Sequence, residues 1–176
     1  FIPRDYLLNA PDVRLALLQG LLDSDGGPVT QQGRTCRIQF TTVSARLRDD
    51  VLFLVRSLGG TAYWRTRPAE GRKPGLARGR EVQHRSDAYT LDLRLPGGVV
   101  PFRLARKAAK YDLTGGARPL RFVDRIEPAG TEEAVCIQIA SADSLYVTED
   151  FLLTHNTLND AFIILDEAQN TTAEQM

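Results

Sequence analysis

Apolar residues recur along this chain with two different periods, and the change from one to the other marks out its elements. Asn9 and Pro11 can open a helix that carries Val13, Leu17, Gly20 and Leu21 along one face, ending at Asp23, Asp25 and a Gly26-Gly27 exit. Arg37, Gln39 and Thr41 then alternate with Ile38 and Phe40, the period-two pattern of a strand with one polar face. Ser44 is placed to cap a second helix, in which Leu47, Val51, Leu54, Val55 and Leu58 recur at helical spacing as far as Gly59-Gly60. Strands over 61–66 and 89–95 are expected to pair across an Arg/Gly/Pro-rich linker at 67–85, and a basic helix runs over about 102–110.

From Arg121 the pattern changes to short β-rich segments at 122–126, 135–139 and 145–147, with Gly130 in a turn. After Thr157 an apolar run, Phe162-Ile163-Ile164-Leu165, leads to Asp166-Glu167. The chain therefore reads as α+β. Helix, strand pair, helix, strand pair and helix fill residues 1–111, a β-rich part fills 112–156, and a separate segment occupies 157–176.

Composition narrows the picture. With 176 residues and 43% hydrophobic content the chain can bury a real core in one or two domains. Its 22 basic and 22 acidic residues cancel, so no whole-chain field demands a polyanion. The distribution is less even: Arg65, Arg67, Arg72, Lys73, Arg78, Arg80, Arg85, Arg103, Arg106, Lys107 and Lys110 make a basic middle, and the tail after Thr131 is acidic. Cys36 and Cys136 lie too far apart for a metal pair and suggest no disulfide framework. With no signal peptide and no apolar run of spanning length, a cytoplasmic location without a membrane partner is expected. The start at Phe1 and the stop at Met176, just after a helical-looking beginning, read as those of a fragment.

Leu18-Gln19-Gly20-Leu21-Leu22-Asp23-Ser24-Asp25-Gly26 resembles the LAGLIDADG motif of homing endonucleases, departing at Gln19, Leu22 and Ser24. Glycine inside a helix costs up to about 1 kcal/mol, and the close approach of a partner helix at Gly20 is the reason to keep it. Two such helices side by side bring one acid from each to the mouth of their interface, where divalent ions sit between them and a DNA phosphate. The resemblance makes Asp25 the Mg²⁺ ligand and half of that endonuclease fold the expected architecture. It also makes double-stranded DNA the partner, met by the polar strand faces bearing Arg37, Gln39, Thr41 and Arg65. Lys107 or Lys110 corresponds to the family's active-site lysine. One motif copy is present, whereas cutting both strands needs two, from a homodimer or from a copy in the same polypeptide. Ile2-Pro3 and Tyr6-Leu7-Leu8 resemble the approach to the second copy, so the first is expected upstream.

Leu153-Thr154-His155-Asn156-Thr157 resembles the downstream splice junction of an intein, and the strands before it resemble the C-terminal end of the Hint splicing fold. Asn156 can attack its own carbonyl through its side-chain amide, closing a succinimide and cutting the chain. His155 can supply a proton or hydrogen bond, and Thr157 can accept the upstream segment as an ester. His-Asn-Thr alone would be an ordinary surface turn, and its context argues otherwise. Where many members have Asp this chain has Cys136, and where many have an upstream His it has Ser144. The missing N-terminal intein half, with its opening nucleophile, and the host segments are the implied partners.

Beyond the junction, Phe162-Ile163-Ile164-Leu165-Asp166-Glu167-Ala168-Gln169-Asn170 resembles the Walker B strand of PhoH-like ATPases. On that resemblance Asp166 holds Mg²⁺ through water and Glu167 orients the attacking water in an intact, ATP-binding host protein. No glycine-rich phosphate loop is present, so this chain alone is not expected to hydrolyse ATP. Three resemblances in their expected order give an intein carrying a homing endonuclease within a PhoH-like host. The rivals are a catalytically dead DNA-binding module of the same fold and a diverged PhoH-like ATPase with an unrelated insertion.

Overall fold

A computed structural model describes residues 1–31, 34–112, 119–128, 130–131 and 137–155. The chain divides into two compact units, Phe1–Leu120 and Arg121–Met176.

The first unit opens with α1 (Arg4–Leu7) and α2 (Pro11–Asp25), followed by β1 (Gly26–Gln31), β2 (Arg34–Thr42), α3 (Ala45–Ser57) and β3 (Thr61–Arg67). A small hairpin, β4 (Gly75–Ala77) and β5 (Arg80–Val82), precedes β6 (Ala88–Arg94) and α4 (Ala105–Asp112). Strands β1, β2, β6 and β3 form one antiparallel sheet in that order, so β6 lies between two strands that precede it in the chain. One face of the sheet carries Ile38, Phe40, Ala62, Leu91 and Leu93 into a core shared with Leu18 and Leu22 of α2, Val51, Leu54 and Val55 of α3, and Phe102. Cys36 adds a small buried side chain to β2.

Helix α2 is apolar on more than one side, and the structure corrects which side faces the core. Leu18 and Leu22 are fully buried, and Leu17 and Leu21 pack partly against the same cluster. The seam therefore runs one residue on from the expected Leu17 and Leu21. Gly20 lies on an exposed side, where an added Cβ would meet nothing within 4 Å. Helix α3 matches its pattern: the Ser44 hydroxyl accepts the Leu47 N–H at 3.1 Å, and Gly59 closes the far end at φ 76°. Gly60 is required by space, because a Cβ there would lie 2.6 Å from the Arg94 carbonyl oxygen.

The segment between β3 and β6 is more than a linker. Arg78 and Gly79 take φ values of 51° and 75°, the pair of positive angles that turns a two-residue hairpin between β4 and β5. Helix α4 begins at Ala105 rather than near Phe102, which is instead buried in the core.

In the second unit, β7 (Leu145–Val147) pairs antiparallel with β8 (Leu153–His155), with Leu145 opposite His155. The strands expected at 122–126 and 137–139 are irregular, and Phe122 and Ile126 are exposed. Among the described residues these apolar side chains gain no strand partner. The expected remainder at 135–136 lies outside the described residues, as does the whole segment after His155.

Candidate nucleic-acid interface and acidic helix end

Antiparallel register decides which side chains share the sheet face turned away from the helices. Gln39 stands opposite Asp92, which stands opposite Tyr63 on its other side; Thr41 and Arg65 flank Thr90 in the same way. With period two along each strand, Arg37, Gln39, Thr41, Tyr63, Arg65, Thr90, Asp92 and Arg94 line one polar surface. The four residues expected to meet DNA, Arg37, Gln39, Thr41 and Arg65, thus share one face of one sheet.

Asp92 is the hub of that face. Its Oδ1 accepts from Gln39 Nε2 at 2.8 Å and lies 3.7 Å from Arg37 Nη1, while its Oδ2 accepts from Arg65 Nη1 at 2.8 Å. Among the described residues the Thr90 hydroxyl and Arg37 Nε are buried without a hydrogen-bond partner, so the face holds unspent polar capacity. Arginines outnumber carboxylates here, and the local field is positive.

A second constellation gathers at the C-terminal end of α2. Asp25 is the last helical residue and is exposed. Gly26 follows in extended conformation, and its lack of a side chain is a matter of space: a Cβ would sit 2.8 Å from Leu22 Cδ2 and 3.0 Å from the Gln39 carbonyl oxygen. Asp23 points the other way, its Oδ2 accepting the N–H groups of Arg103 and Leu104 at 3.0 and 3.2 Å, just ahead of α4. Its Oδ1 is buried without a partner among the described residues.

Lys107 is 8% exposed, and its Nζ donates to the carbonyls of Leu22, Asp23 and Gly26 at 2.9, 2.8 and 2.6 Å. All three ammonium protons are thereby used, so Lys107 sits at the acidic helix end as a clamp on backbone carbonyls. Lys110, the other candidate lysine, is exposed on α4. Gln19, one of the departures from the motif, ties the same segments together, donating to the Val100 carbonyl at 2.7 Å and accepting from Arg103 Nε at 2.8 Å.

Among the described residues no group of three His, Cys, Asp or Glu side chains could hold a metal ion. A lone exposed carboxylate at Asp25 nevertheless fits Mg²⁺, which keeps several waters and is often held by one or two carboxylates together with phosphate oxygens.

In the second unit His155 is exposed at the end of β8. The Asp143 carboxylate accepts the Ser141 hydroxyl and, at 3.1 Å, the Leu145 N–H. The Ser141 hydrogen bond first, then the Leu145 N–H, and last the charge of His155 hold the Asp143 carboxyl below the usual carboxylate range. Cys136, Asn156, Thr157, Asp166 and Glu167 lie outside the described residues.

Sequence reasoning named Asp23 and Gln19 without giving them partners and passed over Asp92 and Asp143. Asp92 carried a signal, being the acidic one of the three polar members, with Thr90 and Arg94, of the alternating run over 89–95. The partners of the other three are set by tertiary contact or local turn geometry, which no periodicity announces.

Residues 12–126 match the family profile described as LAGLIDADG-like domain. The chain is similar to a replicative DNA helicase DnaB of Mycobacterium intracellulare, 32% identical over 161 residues that cover 89% of this chain and 25% of that protein. It is also similar to PhoH-like proteins of Mycobacterium tuberculosis strain H37Rv and Mycobacterium leprae, 40% and 38% identical over 81 residues, or 45% of this chain and 20% of each relative. It therefore spans a quarter or less of the length of these relatives. No described helix is long and apolar enough to cross a membrane.

Proposed function

For a chain that belongs to the LAGLIDADG-like domain family, we propose that the first unit is one half of a homing-type DNA endonuclease and that the segment ending at Asn156 is the downstream part of an intein. The observation that supports the first statement best is the shared sheet face of Arg37, Gln39, Thr41 and Arg65, in the same unit as an exposed Asp25 at a helix end. The face lies along a DNA groove, with arginine and glutamine reading base edges. The Gly20 side of α2 meets the equivalent helix of a second half, and each half contributes one acid to the two-strand cut.

Asp25 holds the Mg²⁺ on this reading. That ion supplies Lewis-acid stabilisation of the charge developing at the scissile phosphate. The remaining work falls to the protein. Gly26 lets β1 leave the helix without displacing Leu22, and Lys107 fixes the carbonyls on either side of Asp25, so the carboxylate starts from a defined position. We assign Lys107 this positioning role in place of proton transfer, because its protons are already bound.

For splicing, Asn156 closes the succinimide, His155 assists at its carbonyl and Thr157 carries the transferred segment, with Cys136 standing in the sequence where many members have Asp. What supports this reading is the pattern of relatives. The shares of the chain similar to a DnaB helicase and to PhoH-like proteins together exceed its length, so they overlap. One stretch similar to parts of two differently named proteins suits a segment carried by different hosts. Residues after Thr157 then belong to a PhoH-like host, in which Asp166 and Glu167 serve ATP and Mg²⁺.

Cleavage of duplex DNA tests the endonuclease. Supplied with its other half, the protein is expected to cut in Mg²⁺, and Asp25→Asn to abolish cutting by at least about a hundredfold while leaving binding nearly intact, as loss of a charge-stabilising group at the reacting centre implies. Undiminished cutting by that variant would refute the role of Asp25. A second reading, a DNA-binding module without catalysis, draws on the absence of any three-ligand cluster among the described residues. Specific binding without cutting by the wild type would favour it.

A further inference from the structure

We infer that Asp92 is a specificity-determining positioning residue, which holds Gln39, Arg37 and Arg65 in the poses from which they read base edges. The inference rests on the DNA reading of the sheet face. It starts from an oddity: a carboxylate lies at the centre of a surface whose proposed partner is a polyanion. Neither burial nor packing accounts for it, since the Asp92 side chain keeps 21% of its exposure and points away from the core.

Its contacts give the reason. Asp92 sits on an inner strand, with Gln39 directly across on one neighbour and Tyr63 on the other. It takes one N–H from Gln39 and one from Arg65, each at 2.8 Å, and pairs with Arg37 at 3.7 Å. Three long side chains that would otherwise sweep many rotamers are thus drawn to one anchor. The Gln39 contact also fixes the direction of the amide. A carboxylate oxygen accepts only from the nitrogen, so Oε1 and the second N–H stay available to a base edge, the pair adenine requires. Arg65 spends one terminal nitrogen and keeps the rest of its fork for a guanine. Cancelling one arginine charge also weakens sequence-independent attraction to phosphates, which favours discrimination over bare affinity.

The test is selection of binding sites from a randomised duplex library by the wild-type chain, by Asp92→Asn and by Glu81→Gln, each supplied with its other half. The last removes one exposed carboxylate charge from the β4–β5 hairpin and controls for charge alone. Asp92→Asn is expected to bind random duplex severalfold more tightly and to lose base preference at a short block of positions, whereas Glu81→Gln keeps the wild-type preferences. Gln39→Met should flatten part of the same block, which supplies the answer should Asp92→Asn unfold. Unchanged preferences in Asp92→Asn, with an affinity gain equal to that of Glu81→Gln, would overturn the proposal, as would a Gln39→Met effect at unrelated positions. A wild-type chain that binds duplex with no preferred sequence overturns the role of Asp92 and leaves the sheet as a DNA surface. Failure to bind duplex at all overturns both.

Discussion

Lys107 and Asp23 cap each other's helices. The Lys107 ammonium donates to the Asp23 carbonyl at 2.8 Å, near the end of α2, while the Asp23 carboxylate accepts two N–H groups at the approach to α4. Helix ends leave carbonyls and N–H groups unpaired, and here each helix supplies the other's missing partner.

That reciprocity predicts a stability effect at Lys107. Lys107→Met keeps the length of the stem but leaves three carbonyls without their shared donor, and a loss of about 1–3 kcal/mol is expected. Urea unfolding measures it. A variant with wild-type stability and no Mg²⁺-dependent cutting would instead return Lys107 to the chemistry of the site.

The two glycines of the motif should respond with opposite signs. Gly20→Ala meets nothing inside the chain and is expected to raise the stability of the chain alone by up to about 1 kcal/mol. The same change should weaken pairing with a second half, because its methyl stands where a helix must approach. Gly26→Ala collides with Leu22 and the Gln39 carbonyl and should cost about 1–3 kcal/mol. Thermal unfolding of both variants, with sedimentation of the paired protein, separates the outcomes.

Asp143 predicts a pH dependence for the β7–β8 hairpin. Its folded pKa is depressed, so its stabilising contribution is present above the ordinary carboxylate range and is lost as pH falls through the lowered value. The protection of the Leu145 amide, its exchange rate relative to the intrinsic rate at the same pH, should therefore fall under acid, and Asp143→Ala should show the lower protection at neutral pH as well. Equal exchange in wild type and variant at neutral pH would contradict the contact.

On the splicing reading, Asn156→Ala removes the side chain that cyclises, and release of the segment beginning at Thr157 should cease. Mass spectrometry of an otherwise spliceable precursor reads the outcome. Normal release from the variant would sink the splicing assignment.

Burial explains how much of this was legible in the sequence. Helix α3 and strands β2 and β6 each bury one face, so their periodicity shows in the residues, whereas β3 buries only Thr61 and Ala62 at its start. Helix α2 is apolar on two sides, one toward its own core and one left open at Gly20, and its pattern blurred which was which. Strands β4 and β5 bury almost nothing; Gly-Leu-Ala and Arg-Glu-Val carry no alternation, and only the Arg78-Gly79 turn defines them. Residues 122–126 show the reverse, a strand-like pattern that finds no neighbouring strand among the described residues. At the site, Asp25 and the polar strand residues were visible as motif and alternation, whereas the duties of Asp23, Lys107 and Asp92 depend on partners far along the chain.

The place of β6 carries one more consequence. It is the last strand of its sheet to be synthesised, yet it separates β2 from β3, so neither earlier strand can meet the other directly. In the sheet Arg37 and Gln39 belong to the β1–β2 hairpin and Arg65 to β3, which pairs with β6, so their shared anchor Asp92 is supplied by residues 88–94. On the DNA reading of this sheet, the reading face is therefore complete only with β6 in place, although its other members lie earlier in the chain.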